Sequence, residues 1–334
     1  MKLIIQIPCL NEAETLSIAL ADLPKHIPGV DVIETLIIDD GCTDDTVKVA
    51  LANGVQHVVG FRHNQGLAKA FMLGIEACLE RGADIIVNTD ADNQYNAADI
   101  EKLVRPILEA RADLVIGARP IADIEHFSVL KKMLQKIGSW VVRRVSNTDV
   151  ADAPSGFRAM SKEVAMVLNV FSDYTYTLET IIQAGQRNLR ISSVPIRVNG
   201  ELRPSRLVRS IVSYVRRSIF TMLRIFVVYR PLRFFMTVST LPLAIGLALG
   251  IRFVVYFLQE QGSGHVQSLI LAAVMLLVAF QTMLLAVLAD LLSVNRRLLE
   301  DLQVRERERT TAEVAGYARR GRTSSRPIDR IASA

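Results

Sequence analysis

Cysteine is scarce and forms no pattern: Cys9, Cys42 and Cys78 are the only three in 334 residues. An odd number excludes a complete disulfide framework, and no spacing among them resembles a metal knuckle, so a reducing compartment is expected. The chain has no internal repeat, and Trp140 is its single tryptophan. A signal-like apolar core is lacking too. The apolar start reaches Pro8 and Asn11 within a few residues and reads as a first β-strand, so the head is expected to fold in the cytosol. Asp and Glu thin out in the second half, where Arg accumulates. That asymmetry points to membrane or nucleic-acid contact, and the long apolar runs between the Arg clusters exclude nucleic acid. What remains abundant is hydrophobic residue, 50% of the chain at a net charge of +5. The mean hydropathy of +0.29 suits a soluble head joined to a few membrane spans.

The first 120 residues alternate strand and helix patterns. Strands are predicted at 3–7, 32–38, 55–59, 85–88 and 114–117, with helices from about Asn11, Asp44, Gly66 and Ala97. Asn11 followed by Glu14 has the spacing of a capping box. Such alternation predicts an α/β fold with a mostly parallel sheet, whose ligands sit at the carboxyl ends of the strands. Asn11, Glu12, Asp39, Asp40, Asp90 and Asp92 all fall at those ends.

The texture changes at Leu207. Residues 207–231 interleave Arg209, Arg216, Arg217 and Arg224 with aliphatic residues, which predicts amphipathic helix at a membrane interface or packed on the head. Residues 234–251 carry no charge and the run continues to 258; residues 269–289 are also uncharged. Each can span a hydrocarbon core, which takes about 20 helical residues. The predicted organisation is a catalytic head at 1–206, interface helices at 207–231, and two transmembrane helices within 232–292, at about 234–258 and 268–292. A charged tail at 293–334, partly disordered, completes it. The loop at 259–267 has no Lys or Arg while Arg230, Arg233, Arg296 and Arg297 flank the spans, so head and both termini are expected in the cytoplasm.

The strongest local chemistry is Asp90-Ala91-Asp92 after an apolar strand. Two such carboxylates can share Mg²⁺ or Mn²⁺, with Gln94 adding an amide oxygen, and the cation would neutralise a leaving diphosphate.

Five ordered segments then carry a resemblance: Ile-Pro-Cys-Leu-Asn-Glu at 7–12, Ile-Asp-Asp-Gly-Cys-Thr-Asp at 38–44, Asn-Gln-Gly-Leu-Ala-Lys-Ala at 64–70, Asp-Ala-Asp-Asn-Gln at 90–94 and Asp-Ala-Pro-Ser-Gly-Phe-Arg at 152–158. Together they resemble family 2 glycosyltransferases, and within them the dolichyl- and polyprenyl-phosphate hexose synthases of the bacterial two-span branch. The resemblance implies a GT-A fold, Rossmann-like, and inverting transfer of a hexose from a UDP- or GDP-linked sugar to a polyprenyl phosphate such as undecaprenyl phosphate, in cell-envelope synthesis at the inner membrane. Pro8, Asn11, Glu12, Asp39, Asp40 and Arg62 would then line the nucleotide pocket, with Asp90, Asp92 and Gln94 on the metal. Arg119 and Lys131 or Lys132 would receive the acceptor phosphate, and Arg203 and Arg206 would lie in a basic segment closing over the site. Asp152 would lie near the sugar, and Ser155 and Arg158 would shape the acceptor pocket. Other readings stay open. Arg158 can instead pair with Asp152, Glu12 can cap a helix, Arg203 and Arg206 can touch lipid headgroups, and Glu179 is either a second carboxylate or a surface helix residue. Cys9 and Cys42 stand where the family has small or hydroxyl residues. A glycolipid or polysaccharide hydroxyl as acceptor, or a non-catalytic membrane scaffold, are the rival functions; a homo-oligomer is compatible with either.

Overall fold

The computed structural model describes residues 1–120, 148–170, 176–200, 227–259 and 266–320, with isolated positions between 133 and 143 and between 220 and 224. The chain divides into two compact units, Met1–Val215 with Asp301–Ala334, and Arg216–Glu300.

The first unit is built on one seven-stranded sheet in the order β3-β2-β1-β4-β6-β5-β7. Its strands are β1 (Lys2–Cys9), β2 (Val32–Asp40), β3 (His57–Phe61), β4 (Ile85–Asn88), β5 (Leu114–Ala118), β6 (Arg158–Ser161) and β7 (Ile191–Pro195). β6 runs antiparallel between β4 and β5, and every other pairing is parallel. β1 and β4 lie inside the sheet and are covered on both faces, which explains why they are apolar apart from Lys2, Gln6 and Asn88. The helices are α1 (Leu16–Ala21), α2 (Thr46–Ala52), α3 (Leu67–Glu80), α4 (Ile100–Leu108), α5 (Lys162–Val167) and α6 (Thr177–Gln186). α3 turns Ala68, Phe71, Ile75 and Cys78 to the core, the three-to-four spacing of one helical face.

Several expectations shift. No helix starts at Asn11. That residue has φ +55°, and its side chain accepts a hydrogen bond from Thr43 N–H on the next loop, so it cannot cap its own segment. α1 begins five residues later, where the Glu12 carbonyl accepts Thr15 and Leu16 N–H. β3 sits two residues beyond its predicted place, because its register on β2 pairs Leu36 with His57 and Asp40 with Phe61. The helix expected from Ala97 opens as a single 3₁₀ turn, Ala97–Asp99, capped by Asn96.

In the second unit, α7 (Pro231–Leu258) starts with a proline at its first position, where the missing N–H costs nothing. Residues of α8 (Val266–Arg320) up to Glu300 belong to the same unit. Both helices are long and apolar enough to cross a membrane, with windows of mean hydropathy 2.1 and 2.5. Only 6% and 17% of those windows is buried by protein, which a soluble core helix could not tolerate. They meet at small residues: beyond Pro231 at the start of α7, the buried positions are Ser239, Gly246, Ala272, Ala279 and Ala286, and a β-carbon on Gly246 would come 2.9 Å from Leu276.

The end of α8, from Asp301, belongs to the first unit. Asp301 pairs with Arg187 at 2.7 Å, and Arg307 reaches Glu76 and the carbonyls of Met166 and Leu168 at the end of α5.

Candidate active site

Parallel strands bring the ends of β1, β2 and β4 to one edge, and the loops that leave them are stitched together by side chains. Asn11 Oδ1 accepts Thr43 N–H at 2.8 Å, Thr46 Oγ1 accepts Glu12 N–H at 2.8 Å, and Asp44 accepts Ala13 N–H at 3.1 Å. The Cys42 thiol accepts Asn11 N–H at 3.2 Å and donates to the Cys9 carbonyl. Asp39 accepts Cys42 N–H at 2.7 Å. Asp40 is buried and turned inward, accepting Gln65 N–H at 2.7 Å and Gly66 N–H at 3.1 Å. Burial raises the Asp40 pKa against the pull of those amides, and the charge of Asp39 adds to the rise. Gly41 permits this seam: at φ +75° a β-carbon there would sit 2.5 Å from the backbone of His63 and Asn64. The segments at 7–12, 38–44 and 64–70 are thereby one construction. Pro8 is half-buried near the end of β1, Glu12 half-buried beside Thr15, and Arg62 exposed after β3.

Asp90 and Asp92 follow β4. Asp90 keeps some accessible surface but sits at a crowded crevice floor, where a β-carbon on Gly156 would lie 3.3 Å from both of its oxygens. Its pKa rises to about 7, first through burial and then through the charge of Asp92; Arg119 and Arg158 offset only part of this. Two carboxylates in such a place fit a divalent cation, which removes both the repulsion and the cost of lost hydration. Among the described residues no third His, Cys, Asp or Glu joins them. The remaining ligands would be the Gln94 amide, water or substrate phosphate, a donor set suited to Mg²⁺ or Mn²⁺.

The loop that carries these residues is braced from afar. Asn199 donates its backbone N–H to the Gln94 carbonyl at 2.9 Å and its side-chain amide to the Asn93 carbonyl at 3.0 Å, and it accepts from Asn96 at 3.1 Å. Arg197 grips Asp99 beside it, donating its backbone N–H at 2.7 Å and its guanidinium at 2.8 Å. Nothing in the local pattern around residue 199 marks this role.

On the far side of the crevice, Arg119 and Asp152 form a fork pair: Nε to Oδ2 at 2.7 Å and Nη2 to Oδ1 at 3.1 Å. Their side chains are 8% and 1% exposed, so the pair is internal. This corrects two expectations. Asp152 pairs with Arg119 and not with Arg158, and the Arg119 fork already holds a carboxylate. Arg158 lies wholly inside the protein. It donates to the carbonyls of Ser155 and Thr177 and to the Thr180 hydroxyl, and it packs 5.3 Å from the Tyr176 ring centre. Ser155 is equally buried, and neither Ser155 Oγ nor Arg158 Nε has a hydrogen-bond partner among the described residues. Both therefore shape the motif from behind and do not line an open pocket. Glu179 is half-buried on α6. Lys131, Lys132, Arg203 and Arg206 lie outside the described residues.

A buried polar chain joins the two sides. Gln6 on β1 donates to Asn88 on β4 at 2.9 Å, and Asn88 donates to the Gly156 carbonyl at 3.0 Å and to Tyr176 Oη at 2.9 Å. Its signal was present in the sequence: Gln6 and Asn88 interrupt apolar strands, where an uncompensated amide would cost about 1–3 kcal/mol.

A family model described as glycosyl transferase family 2 matches residues 4–168. An undecaprenyl-phosphate mannosyltransferase of Micrococcus luteus is 28% identical over 223 residues, 64% of this chain and 90% of the relative. The UDP-N-acetylglucosamine–dolichyl-phosphate N-acetylglucosaminyltransferase of Methanococcus voltae is 30% identical over 213 residues, 57% of this chain and 83% of the relative. Among solved structures, glucosyl-3-phosphoglycerate synthase from Mycobacterium tuberculosis, in complex with Mn²⁺, UDP and glucosyl-3-phosphoglycerate, superposes with a TM-score of 0.52 at 20% identity. It covers 68% of this chain and 78% of that one, and the shared architecture is the GT-A fold.

Proposed function

Since the chain belongs to glycosyltransferase family 2, we propose that it moves a hexose, with inversion, from a nucleotide sugar to a polyprenyl phosphate at the cytoplasmic face of the membrane. The observation that carries the reading is a juxtaposition: the Asp90 carboxylate lies against Gly156 of the 152–158 motif, and Asn88 ties the two segments together. Relatives named for undecaprenyl and dolichyl phosphate support a lipid phosphate acceptor over a hydroxyl. The two apolar helices support an anchored enzyme, and the positive flanks of the spans support a cytoplasmic head at 1–206.

In this reading the stitched loops after β1 and β2 receive the nucleotide, with Pro8, Asn11, Glu12 and Asp39 at its edge and Asp40 holding the 64–66 turn beneath it. Asp90, Asp92 and Gln94 would hold Mg²⁺ or Mn²⁺, which would neutralise the leaving diphosphate. A lipid phosphate oxygen forms the new bond to the anomeric carbon, and the electron pair of the breaking bond departs with the nucleoside diphosphate. The acceptor phosphate is already ionised at neutral pH, so no strong base is required, and positioning carries the rate. Asp152 fixes the Arg119 guanidinium and keeps it charged at the crevice wall. Lys132 and Arg203 are assigned to the acceptor phosphate and the donor by the family resemblance.

The test is to incubate membranes containing the protein with undecaprenyl phosphate, Mn²⁺ and each of UDP-glucose, UDP-N-acetylglucosamine, UDP-galactose and GDP-mannose, followed by mass spectrometry of the lipids. A cation-dependent glycosyl phospholipid, absent with Asp92→Ala, is expected and identifies the donor. Sugar on a glycolipid hydroxyl, or no product from folded protein that binds nucleotide, overturns the reading.

A further inference from the structure

The first unit carries exposed apolar residues that the reading above leaves unused. Met133, Ile137 and Trp140 are helical, spaced four and three residues apart on one helix face, and 50%, 40% and 55% exposed. The other face points inward: Ser139 and Val142 are buried, Ser139 Oγ accepts Ala153 N–H at 3.3 Å, and Arg143 donates to the Val150 carbonyl. This segment therefore backs directly onto the motif that begins at Asp152.

Its charge is one-sided. Residues 127–148 include Lys131, Lys132, Lys136, Arg143 and Arg144 and no Asp or Glu. Apolar stripe, basic flanks and a tryptophan are the composition of a helix that lies in a membrane interface, where the indole is favoured at headgroup level. A second copy of the chain would set the same positive segment against itself, which is unfavourable, whereas anionic headgroups complement it. The chain also carries two helices able to cross a bilayer.

We propose that the Met133–Ile137–Trp140 stripe seats the catalytic unit on an anionic lipid surface. Seating would place the rear of the 150–153 segment against the headgroups, the level at which a lipid-borne phosphate is presented. The inference rests on the membrane anchoring in the reading above and not on its sugar-transfer chemistry.

Trp140 is the only tryptophan, so its fluorescence reports on this stripe alone. The full chain would be placed in nanodiscs built on a tryptophan-free scaffold, of phosphatidylglycerol with plain or brominated acyl chains. An interfacial helix sinks its apolar face about 5–10 Å into the headgroup/acyl boundary, so bromines on the upper acyl carbons should lower Trp140 emission roughly twofold, with poor quenching by aqueous iodide. Ile137→Asp, a change at an exposed position, should restore emission without moving the thermal midpoint. Equal emission in both lipids overturns the proposal. So does an Ile137→Asp chain that is quenched as before, or a Trp140 shielded from bromine and iodide alike, which would mean a protein contact. No turnover is measured, so the outcome stands apart from that of the glycosyl-transfer assay.

Discussion

On the proposed donor side, carboxylates are satisfied by backbone N–H groups: Asp39 by Cys42, Asp40 by Gln65 and Gly66, Asp44 by Ala13. On the proposed acceptor side the carboxylate of Asp152 is satisfied by a guanidinium, and both charges are buried. The difference extends to the crevice itself. Among the described residues neither Asp90 nor Asp92 pairs with a cation, although Asp90 sits where burial and a like charge disfavour ionisation. The chain supplies its own counterion on one wall and leaves the other to be completed from solution. A site organised in this way should lose fold when the first wall is broken and lose chemistry when the second is.

Four experiments would break or sharpen that contrast. The largest effect is expected from Asp152→Ala, which strands Arg119 as a buried charge and should cost about 3–5 kcal/mol in thermal or denaturant unfolding. Replacing both partners, Arg119→Met with Asp152→Leu, should recover most of that stability and none of the turnover. Next, Asp92→Ala should leave the unfolding midpoint near that of the parent while turnover falls at least about a hundredfold, and the stabilisation of the parent by Mn²⁺ should vanish. Third, Asn199→Ala removes the side-chain part of the brace on the Asn93–Asn96 loop. Apparent Mn²⁺ affinity in the turnover assay should fall about tenfold to a hundredfold, as for other partners that orient metal ligands.

The smallest effect is a pH slope at Asp99. Burial pushes its carboxyl up, but hydrogen bonds from Arg197 and Lys102 outweigh that and bring its pKa to about 2. The unfolded chain takes up the same proton near the ordinary value of 3.8, so the contribution is complete above about pH 4 and is lost as pH falls toward 2. Asp99→Asn should flatten the stability profile over that window and leave it unchanged in shape at neutral pH.

The part of the fold legible in the sequence was the part with a period. Five strands and their helices in the first 118 residues announce themselves by apolar runs and turn residues, and the most apolar runs are those of strands covered on both faces. β6 and β7 escaped because four or five residues, one beginning with arginine, carry no such signal. The Asp90–Asp92 pair was legible because its chemistry is local. The Arg119–Asp152 pair was not, since 33 residues separate its members and only the antiparallel return of the chain through β6 accounts for their meeting. Arg158 was misjudged for a related reason: an arginine is expected at a surface or a ligand, and here its two terminal nitrogens are taken up by Ser155, Thr177 and Thr180. Asn11 shows the limit of capping patterns, because a left-handed residue whose side chain serves a neighbouring loop has none left for its own helix.

The reversed strand bears on how such an enzyme can be re-engineered. β6 is wedged between β4 and β5 with Asn88 opposite Arg158, so the segment after β4 that carries Asp90 and the segment before β6 that carries Gly156 are held by one ladder. A register slip of a single rung would turn Arg158 to the opposite face and pull Gly156 off Asp90 together. The two segments are therefore not separable cassettes. A chimaera joined between residues 118 and 158 would import a foreign wedge into a native groove, whereas exchanges confined to the loops leave the ladder intact.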